Sequence, residues 1–426
     1  MDVMLVALTV NTTEKEKEKG KLHLWLTDNT HIVDIGPVSG DDDAAASSLL
    51  YKSGVGNNEE LIALYEKRGV DRASLGMVSV RLTAELQQVK EVLKTWKEVD
   101  ERVSKLRTNS VDPEGASTVT ACSTNFNITD GLVGFLSGNF SENTWKDEYL
   151  GVNATVTDGT AAATVAAAVT AATGPLDGVT FRGAWAEWPV GKQGENQLYH
   201  FVNYNFTLVA TVSMDVEPEK DTPISLMGVK TNAVENPVLL RLSYNSGGKW
   251  KLSCGDGTFK ELSSNWEPKK AHQVAIVLQN GNQSSAYVDG KSVGEATCAV
   301  ENKGSKGISH FFIGGDGGSA VSEEGVPVTV KNVLLYNRPL DGTEIGVLNP
   351  NKAPTPSPVD RPSKGIALHS SSGGGQEEQG TTIGDTCCGE SRCIHNIIVH
   401  CQHSLRRRGV FKAGGVRNVS RWNSNC

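Results

Sequence analysis

The chain of 426 residues is long enough for two or three domains of roughly 150 residues each. Its hydrophobic fraction of 38%, which becomes about 49% when the 45 glycines are added, lies in the usual globular range, so a packed core is available. The net charge is −8. Residues 386–426 carry seven Lys and Arg against one acid, a charge of +6, so the rest of the chain carries −14. This acidic body excludes a protein that binds nucleic acid through its whole surface.

The first 82 residues form a series of short predicted strands separated by polar or glycine-bearing turns, the pattern of an antiparallel meander. The predicted strands are 3–8, 21–27, 31–35, 48–52, 61–66 and 75–82. The charged run Glu14–Lys21 between the first two is expected to be a solvated hairpin loop. Because six strands are too few to close a sandwich or barrel, we expect them to pair with further strands or to leave exposed edges.

From Leu82 the apolar period changes from two to about 3.6 residues, which predicts one amphipathic helix over 82–106. The apolar positions that recur along it are Leu82, Leu86, Val89, Leu93, Trp96, Val99, Val103 and Leu106. A helix of that length extends ~37 Å, enough to reach from one domain to the next. Its apolar stripe is interpreted as core and not as a ligand site.

After a polar linker over 107–120, strand patterns continue to about residue 346 and predict a two-sheet sandwich. The clearest hairpin turns are Asn280-Gly281 and Asp289-Gly290, dipeptides that favour positive φ. The Ala/Thr-rich stretch 157–174 is interpreted as an inserted low-complexity loop. Beyond Pro350 the chain becomes rich in Pro, Ser and Gly, which predicts disorder.

Targeting features give mixed indications. No stretch approaches the ~20 apolar residues that span a bilayer, and Met1-Asp2 is followed by no basic segment or cleavage site typical of a signal peptide. Seven glycosylation sequons nevertheless favour a secretory protein, at Asn11, Asn127, Asn139, Asn153, Asn205, Asn282 and Asn418. Cys254 and Cys298 lie about one hairpin apart, which predicts a disulfide in an oxidising compartment, with two buried thiols as the alternative.

Local signatures of catalysis are absent from the sequence, which contains no phosphate loop, zinc-binding helix or Gly-X-Ser-X-Gly turn, so no cofactor is predicted. The segment 387–403 is rich in Cys and His, but its spacing matches no standard zinc arrangement and we predict no metal site. Trp185 and Trp188 could stack on sugar rings, with Arg182 and Glu187 supplying polar contacts. Core packing of the two tryptophans is the favoured alternative.

The segment 328–338, Val-Thr-Val-Lys-Asn-Val-Leu-Leu-Tyr-Asn-Arg, resembles the VTVxNVxLYNR signature of the trypanosome trans-sialidase superfamily of surface glycoproteins. Further segments that agree with it are 22–29, 41–51, 93–96, 131–135 and 201–213. The resemblance covers residues 1 to about 350. It implies a mainly β chain: the C-terminal part of a six-bladed sialidase β-propeller over 1–81, a connecting helix over 82–106 and a lectin-like jelly-roll sandwich over 121–346. The composition adds a disordered tail over 347–426. By this resemblance the chain looks N-terminally truncated.

The resemblance also bears on catalysis. In active members a tyrosine nucleophile with a glutamate partner attacks the anomeric carbon, three arginines hold the sialate carboxylate, and an aspartate serves as acid and base. The matching stretch Glu60–Glu66 places Ile62 at the nucleophile's position, and Tyr65, three residues on, belongs to the opposite face of a strand. The family's third arginine corresponds to Asp2, an acid that would repel a carboxylate. The non-catalytic adhesin branch is therefore the better match.

Two departures from the family pattern concern cysteine and the C-terminus. Where members usually carry a cysteine near the end of the connecting helix, this chain has Lys105-Leu106-Arg107, so Cys122 is expected to lack its usual partner. The family's hydrophobic lipid-anchor signal is replaced by the basic, Cys-rich segment 386–426, which resembles an out-of-frame ending.

Three functions stay open at this point. The first is a cell-surface or secreted adhesin that contacts host-cell surface or matrix glycoproteins and sialylated glycans; the predicted contact residues are Tyr336, Asn337, Arg338, Arg182, Trp185 and Trp188. The signature strand itself, Val328, Thr329, Val330, Asn332, Val333 and Leu335, is a candidate contact element. The alternative is that its apolar members Val328, Val330, Val333 and Leu335 lie in the core. Arg338→Ala is expected to weaken binding without lowering the melting temperature. The second function is an exo-α-sialidase or trans-sialidase, and the third is a nonfunctional truncated gene product.

Overall fold

The chain is represented by a computed structural model. The structure describes residues 2–14, 17–54, 59–69, 75–106, 127–158, 168–171, 178–190, 199–216, 223–233, 237–245, 249–255, 259–263, 267, 269–297, 307–317, 326–351 and 397–400. Among the helices in these ranges, none combines the length and the apolar character that crossing a bilayer requires.

The first group of secondary-structure elements ends with the long helix. Its elements are β1 (Val3–Glu14), β2 (Lys17–Thr27), β3 (Ile32–Pro37), β4 (Ala44–Lys52), β5 (Glu60–Arg68), β6 (Leu75–Arg81) and α1 (Thr83–Ser104). The strands that follow are β7 (Leu132–Ser141), β8 (Thr144–Asp147), β9 (Ala154–Asp158), β10 (Ala168–Ala171), β11 (Gly178–Arg182), β12 (Ala184–Pro189), β13 (Phe206–Met214), β14 (Ile224–Thr231), β15 (Val238–Asn245), β16 (Lys249–Cys254) and β17 (Phe259–Ser263). The last elements are β18 (His272–Gln279), β19 (Gln283–Val288), β20 (Lys291–Thr297), β21 (Ile308–Ile313), β22 (Val328–Tyr336), α2 (Gly342–Val347) and β23 (Ile397–His400).

The chain divides into two compact units. One consists of Met1–Val3, Leu26–Val33 and Gln87–Asn396, and the other of Met4–Trp25, Asp34–Leu86 and Ile397–Cys426. The domain boundaries expected from the sequence stay a prediction.

The smaller unit contains blade-like antiparallel sheets. One described sheet has the strand order β23-β1-β2-β3, and another has the order β4-β5-β6. The six expected N-terminal strands are present, but the expected loop Glu14–Lys21 was wrong, because β1 continues to Glu14 and β2 begins at Lys17. Expected disorder beyond Pro350 was also wrong for Ile397–His400, which form β23 beside β1; the rest of the tail beyond 351 lies outside the described residues.

Helix α1 forms where the 3.6-residue period predicted it, over Thr83–Ser104. Its apolar stripe is buried, as expected for a core-facing face, with Val89, Trp96 and Val103 nearly or fully removed from solvent. The indole Nε1 of Trp96 donates a hydrogen bond of 2.8 Å to the carbonyl oxygen of Tyr149, within the same unit. The helix stripe is therefore core, as the sequence predicted.

The larger unit contains the sandwich. Within the described residues its strands make one continuous hydrogen-bonded sheet, in the order β17-β16-β15-β14-β21-β12-β9-β8-β7-β22-β13-β18-β19-β20, with β11 beside β22 and β10 beside β11. The sheet folds back on itself so that β16 and β17 lie against β20. The fold class is therefore mainly β, with a lectin-like jelly roll following blade-like sheets and a connecting helix. The low-complexity loop expected over 157–174 was wrong for Ala168–Ala171, which form β10.

The hairpin turns are those that the sequence predicted. Asp289 and Gly290, with φ of 50° and 75°, connect β19 to β20 as a two-residue turn with φ positive at both positions. Asn280 and Gly281 likewise have positive φ, 54° and 72°, at the β18–β19 hairpin. Both turns therefore lie where the sequence predicted them, and the β19–β20 pair also contains a register shift between Ala286 and Tyr287.

Aromatic side chains fill the sandwich core. Trp145, Trp188 and Trp250 are each 0% exposed. The indoles of Trp145 and Trp188 donate hydrogen bonds of 2.6 Å to the carbonyl oxygens of Ser137 and Val152, so their polar atoms are satisfied inside the core.

Candidate functional site

Strand β5 carries the position at which the family resemblance places a catalytic tyrosine. It lies between β4 and β6, and its side chains alternate between two faces. Leu61, Ala63 and Tyr65 are buried on one face, while Ile62 is half-buried on the other face. Leu64, which shares the face of Ile62, is 40% exposed. Ile62 is thus directed to the more open side of this strand.

Tyr65 is held on the closed side by its hydroxyl group. The hydroxyl donates a hydrogen bond of 2.8 Å to Oδ2 of Asp42, whose Oδ1 lies 2.5 Å from Nζ of Lys67. Burial, together with the hydrogen bond to Asp42 and its negative charge, raises the pKa of Tyr65 to about 12. The phenol is therefore neutral at physiological pH and is engaged in supporting its own sheet.

Asp2 is the second residue that the resemblance assigns to a catalytic position. It is exposed and lies immediately before β1. Its carboxylate carries a negative charge at the position where the resemblance places a carboxylate-binding arginine. A carboxylate there repels an anionic ligand and does not bind it.

The signature strand is β22, the centre of the sandwich. It pairs with β13 along one edge; along the other, Val328–Lys331 pair with β11 and Val333–Tyr336 pair with β7. Asn332 lies where the partner changes and has a φ of 49°, in the left-handed region that asparagine tolerates better than most residues. Val328, Val330, Val333 and Leu335 are buried in the core, as the alternative reading of the strand predicted.

The expected contact role of Tyr336 was wrong. Its side chain is 0% exposed, and its hydroxyl donates a hydrogen bond of 2.9 Å to the carbonyl oxygen of Ile128. All four residues Val333–Tyr336 are buried, because this end of the strand is covered on both faces. Asn337, the next residue, is half-buried, and its backbone N–H donates to the carbonyl oxygen of Gly131.

The side chain of Arg338 is 27% exposed, and its guanidinium group is held by contacts within the sandwich. Its Nε donates a hydrogen bond of 3.0 Å to the carbonyl oxygen of Asp130, and its Nη1 donates one of 2.9 Å to Oε1 of Glu344. The guanidinium therefore joins the turn before β7 to the start of α2. The expectation that Arg338→Ala leaves the melting temperature unchanged does not fit these contacts.

The two tryptophans of β12 have different environments. Trp188 is fully buried in the sandwich core, and its ring packs closely on Gly134. A Cβ atom added to Gly134 would lie 2.6 Å from the Trp188 ring. The predicted sugar-stacking role was therefore wrong for Trp188. Trp185 projects from the opposite face of the strand, is half-buried, and donates a hydrogen bond of 2.9 Å to Oε1 of Glu187. Arg182, at the end of β11, is exposed.

Most of the predicted glycosylation sites in the described residues lie at the surface. Asn127, Asn139, Asn153 and Asn282 are exposed, whereas Asn205 is half-buried and accepts a hydrogen bond from the backbone N–H of Asn280. The side chain of Asn11 and all of Asn418 lie outside the described residues, as do Cys122, Cys298 and the linker 107–120. Cys254 is 7% exposed and disulfide-bonded. Its predicted pairing with Cys298 stays a prediction.

Sequence reasoning missed a cavity of about 670 Å³ on the sandwich. It is lined by outward-facing residues of β18, β19 and β20 and by the segment 339–344 that leads into α2. The sequence contains one signal for this segment, since Asp341 and Glu344 have the spacing of a capping box. Both hydrogen bonds of that capping box are formed in the structure.

Comparison with known proteins identifies two family models along the chain. Residues 128–343 match the trans-sialidase C-terminal domain, and residues 1–66 match a BNR repeat-like domain. Sialidase 85-1.1 of Trypanosoma cruzi is 33% identical over 360 residues, which cover 81% of this chain. Sialidase 85-1.3 of the same organism is 40% identical over 152 residues, which cover 35% of this chain and 85% of that protein.

Among solved structures, Trypanosoma rangeli sialidase in complex with sialic acid aligns with a TM-score of 0.60 at 34% sequence identity, over 80% of this chain and 52% of that one. The chain spans 42% of the length of Sialidase 85-1.1. The chain therefore spans about half or less of the length of Trypanosoma rangeli sialidase and of Sialidase 85-1.1.

Proposed function

The chain belongs to the trypanosome trans-sialidase superfamily, and we propose that it is a catalytically inactive member that acts in adhesion to host-cell surface or matrix glycoproteins. The observation that carries the absence of catalysis is Ile62 on the open side of β5. Covalent catalysis needs a nucleophilic atom at that position, and an isoleucine side chain has none. The family's glycoside chemistry uses a tyrosine there.

The neighbouring tyrosine does not supply the missing group. Tyr65 is on the opposite face of β5, and its hydroxyl donates to Asp42. A raised pKa of about 12 makes its phenolate scarce at neutral pH, so it is a poor nucleophile even where a substrate reaches it. Asp2 adds unfavourable charge toward sialate.

Adhesion is supported by what the sandwich exposes. Arg182 is exposed at the end of β11, and Trp185 is half-buried on the outward face of β12. Arginine and tryptophan are enriched among residues that dominate binding energies. The exposed sequons at Asn127, Asn139 and Asn282, together with disulfide-bonded Cys254, support a secreted or cell-surface location, where such modifications form.

The partner class follows from the relatives. Trypanosoma rangeli sialidase has been solved with sialic acid, so sialylated glycans are among the partners proposed here. In this proposal the partners contact the sandwich, through Arg182 and Trp185, and not β5.

A cell-binding assay with the recombinant chain tests the proposal. We expect saturable binding to mammalian cells that Arg182→Ala and Trp185→Ala each reduce by about tenfold, which corresponds to about 1.4 kcal/mol. The matched control is Arg81→Ala, which removes an exposed arginine from β6 and is expected to leave binding unchanged. Binding that is absent, or that is equal for all variants with intact folds, would refute adhesion through this surface.

A further inference from the structure

The cavity on the sandwich lies on the outer side of a three-stranded region. Along β18 and β19 the core-facing residues include Ile276 and Ala286, while the alternate residues face outward. Strand register places Val277 beside Ser285, and Ser285 beside Glu295, so one row of side chains crosses all three strands. A second cross-strand pair, Gln279 and Gln283, lies next to it at the hairpin end.

The opposite wall of the cavity is the segment 339–344. Oδ1 of Asp341 accepts hydrogen bonds of 2.8 Å from the backbone N–H groups of Thr343 and Glu344, which fixes the start of α2. Glu344 in turn accepts from Arg338 and from the backbone N–H of Asp341. These bonds fix the wall by several independent contacts, so a ligand does not have to order it, and preorganisation of this kind favours affinity.

A second set of bonds fastens the wall to the sheet. The hydroxyl of Thr207 on β13 donates to the carbonyl oxygen of Arg338 and accepts from the backbone N–H of Leu340. At the far end, the side-chain amide of Gln273 on β18 donates a hydrogen bond of 2.9 Å to the carbonyl oxygen of Ile345. These bonds hold the segment over the outer face of β18 as far as the edge of the cavity. The cavity is therefore formed by the folded structure itself.

Polar uncharged side chains are the largest group in the lining, five of its eleven residues. Gln279 and Gln283 each offer an amide donor and an amide acceptor, and Ser285 and Tyr287 add hydroxyl groups. The aromatic ring of Tyr287 also lines the cavity, and its Cε1 lies close to Gly342 of the wall. Among described residues, no hydrogen bond to another side chain or to the backbone engages the side chains of Gln279, Gln283 and Tyr287.

The charged members of the lining are acidic. Glu295 is exposed on β20, Asp341 and Glu344 lie in the wall, and no Lys, Arg or His is found among the described residues that line the cavity. Asp341 and Glu344 are already engaged in capping α2 and in pairing with Arg338, which leaves Glu295 as the carboxylate offered to a ligand. An anionic ligand is therefore disfavoured.

We propose that this cavity is a binding site for a neutral saccharide. Paired amides and a carboxylate are suited to the neighbouring hydroxyl groups of a sugar ring, and the Tyr287 ring is suited to its apolar face. A cavity of about 670 Å³ lies within the range of small-molecule sites. The biological meaning of the site rests on the proposed adhesion function, but its existence can be measured without cells.

The test is calorimetric titration of the full chain, produced in a bacterial host so that no glycan at the adjacent Asn282 occupies the cavity. The probes are three neutral disaccharides, lactose, mannobiose and N,N′-diacetylchitobiose, with 3′-sialyllactose as the anionic comparison and a Lys/Arg-rich decapeptide as the basic one. We expect at least one neutral disaccharide to bind with a millimolar or lower Kd. We expect 3′-sialyllactose to bind no tighter than lactose.

Variants locate the binding. Gln283→Ala and Glu295→Ala should each weaken it by about tenfold, while Gln88→Ala and Glu98→Ala, the same substitutions at exposed positions of α1, should not. No binding by any neutral probe, or equal binding by all variants with intact folds, would overturn the site. Decapeptide binding that Glu295→Ala abolishes, without saccharide binding, would assign the cavity to basic peptides instead. Saccharide binding without cell adhesion would remove the proposed function and leave the site.

Discussion

The ring of His31 stacks on the ring of Tyr149, with centroids 4.1 Å apart and planes inclined by 21°. Nδ1 of His31 lies 3.1 Å from Oδ2 of Asp28, and the hydroxyl of Tyr149 donates a hydrogen bond of 2.7 Å to Asp100 on α1. Trp96 completes the cluster, with its ring centroid 5.2 Å from that of His31. The turn 28–31, helix α1 and the sandwich therefore meet in one buried polar and aromatic cluster.

Removing His31 should destabilise the unit that contains this cluster. His31→Ala deletes the stacked ring and the ring contact with Oδ2 of the nearly buried Asp28, whose Oδ1 keeps the backbone N–H groups of Thr30 and His31, so we expect a loss of about 1–3 kcal/mol in the free energy of unfolding. The matched control is His23→Ala, since His23 contacts Asp34 at a more solvent-exposed site, where substitutions have small effects. Urea unfolding followed by tryptophan fluorescence measures both; equal effects of the two substitutions would contradict a structural role for the stack.

Asp147 should make stability depend on pH. It is 2% exposed, and although it accepts hydrogen bonds from the backbone N–H groups of Phe135 and Gly151, burial raises its pKa to about 7. Because the folded pKa exceeds the ordinary value near 3.8, the native state favours the protonated form. The resulting stabilisation is complete below pH ~4 and is lost as the pH rises through about 7.

The expected loss is on the order of 2–4 kcal/mol in the free energy of unfolding between pH 4 and 7. Asp147→Asn should flatten that dependence, whereas Asp215→Asn, at an exposed position, should leave it in place. Unfolding curves at four pH values across this window give the slopes. A slope unchanged by Asp147→Asn would show that Asp147 is not the group responsible.

Arg338 should contribute to stability through its two hydrogen-bonded partners. Arg338→Ala removes the contacts with Asp130 and Glu344, and we expect a loss of about 1–2 kcal/mol. Arg182→Ala, which removes an exposed arginine of the same unit, is the control and should change stability by less than about 0.5 kcal/mol. Thermal melts of both variants measure the two effects. A melting temperature unchanged by Arg338→Ala would contradict a stabilising role for these contacts.

Asn332 should tolerate glycine but not valine. Its φ of 49° is accessible to asparagine and glycine, whereas a β-branched side chain is strained in the left-handed region. We expect Asn332→Val to cost about 1–3 kcal/mol and Asn332→Gly to be nearly neutral. Lys331→Val, one residue earlier in the same strand, is the control for valine itself. Similar melting temperatures for Asn332→Val and Asn332→Gly would contradict strain at this bend.

The elements that depend only on neighbouring residues in the sequence, such as a helix or a tight turn, were predicted correctly. Helix α1 follows from its 3.6-residue period, and the Asp289-Gly290 turn follows from residues that adopt positive φ. Tyr336 was misjudged because period-two alternation expects one open face, whereas both faces of the strand are covered at its end. The cavity was missed because its lining combines three strands with the segment 339–344, and only tertiary packing brings them together.

Turnover of a fluorogenic α-sialoside by the purified chain tests the central claim most directly, with Trypanosoma rangeli sialidase assayed in parallel as the active reference. With Ile62 at the nucleophile's position, we expect no release of the fluorophore above the uncatalysed rate and no transfer of sialic acid to added lactose. The Ile62→Ala variant should give the same baseline. Turnover of about 1 per second or more, in the range of ordinary enzymes, would contradict the account and return this chain to the catalytic members of its family.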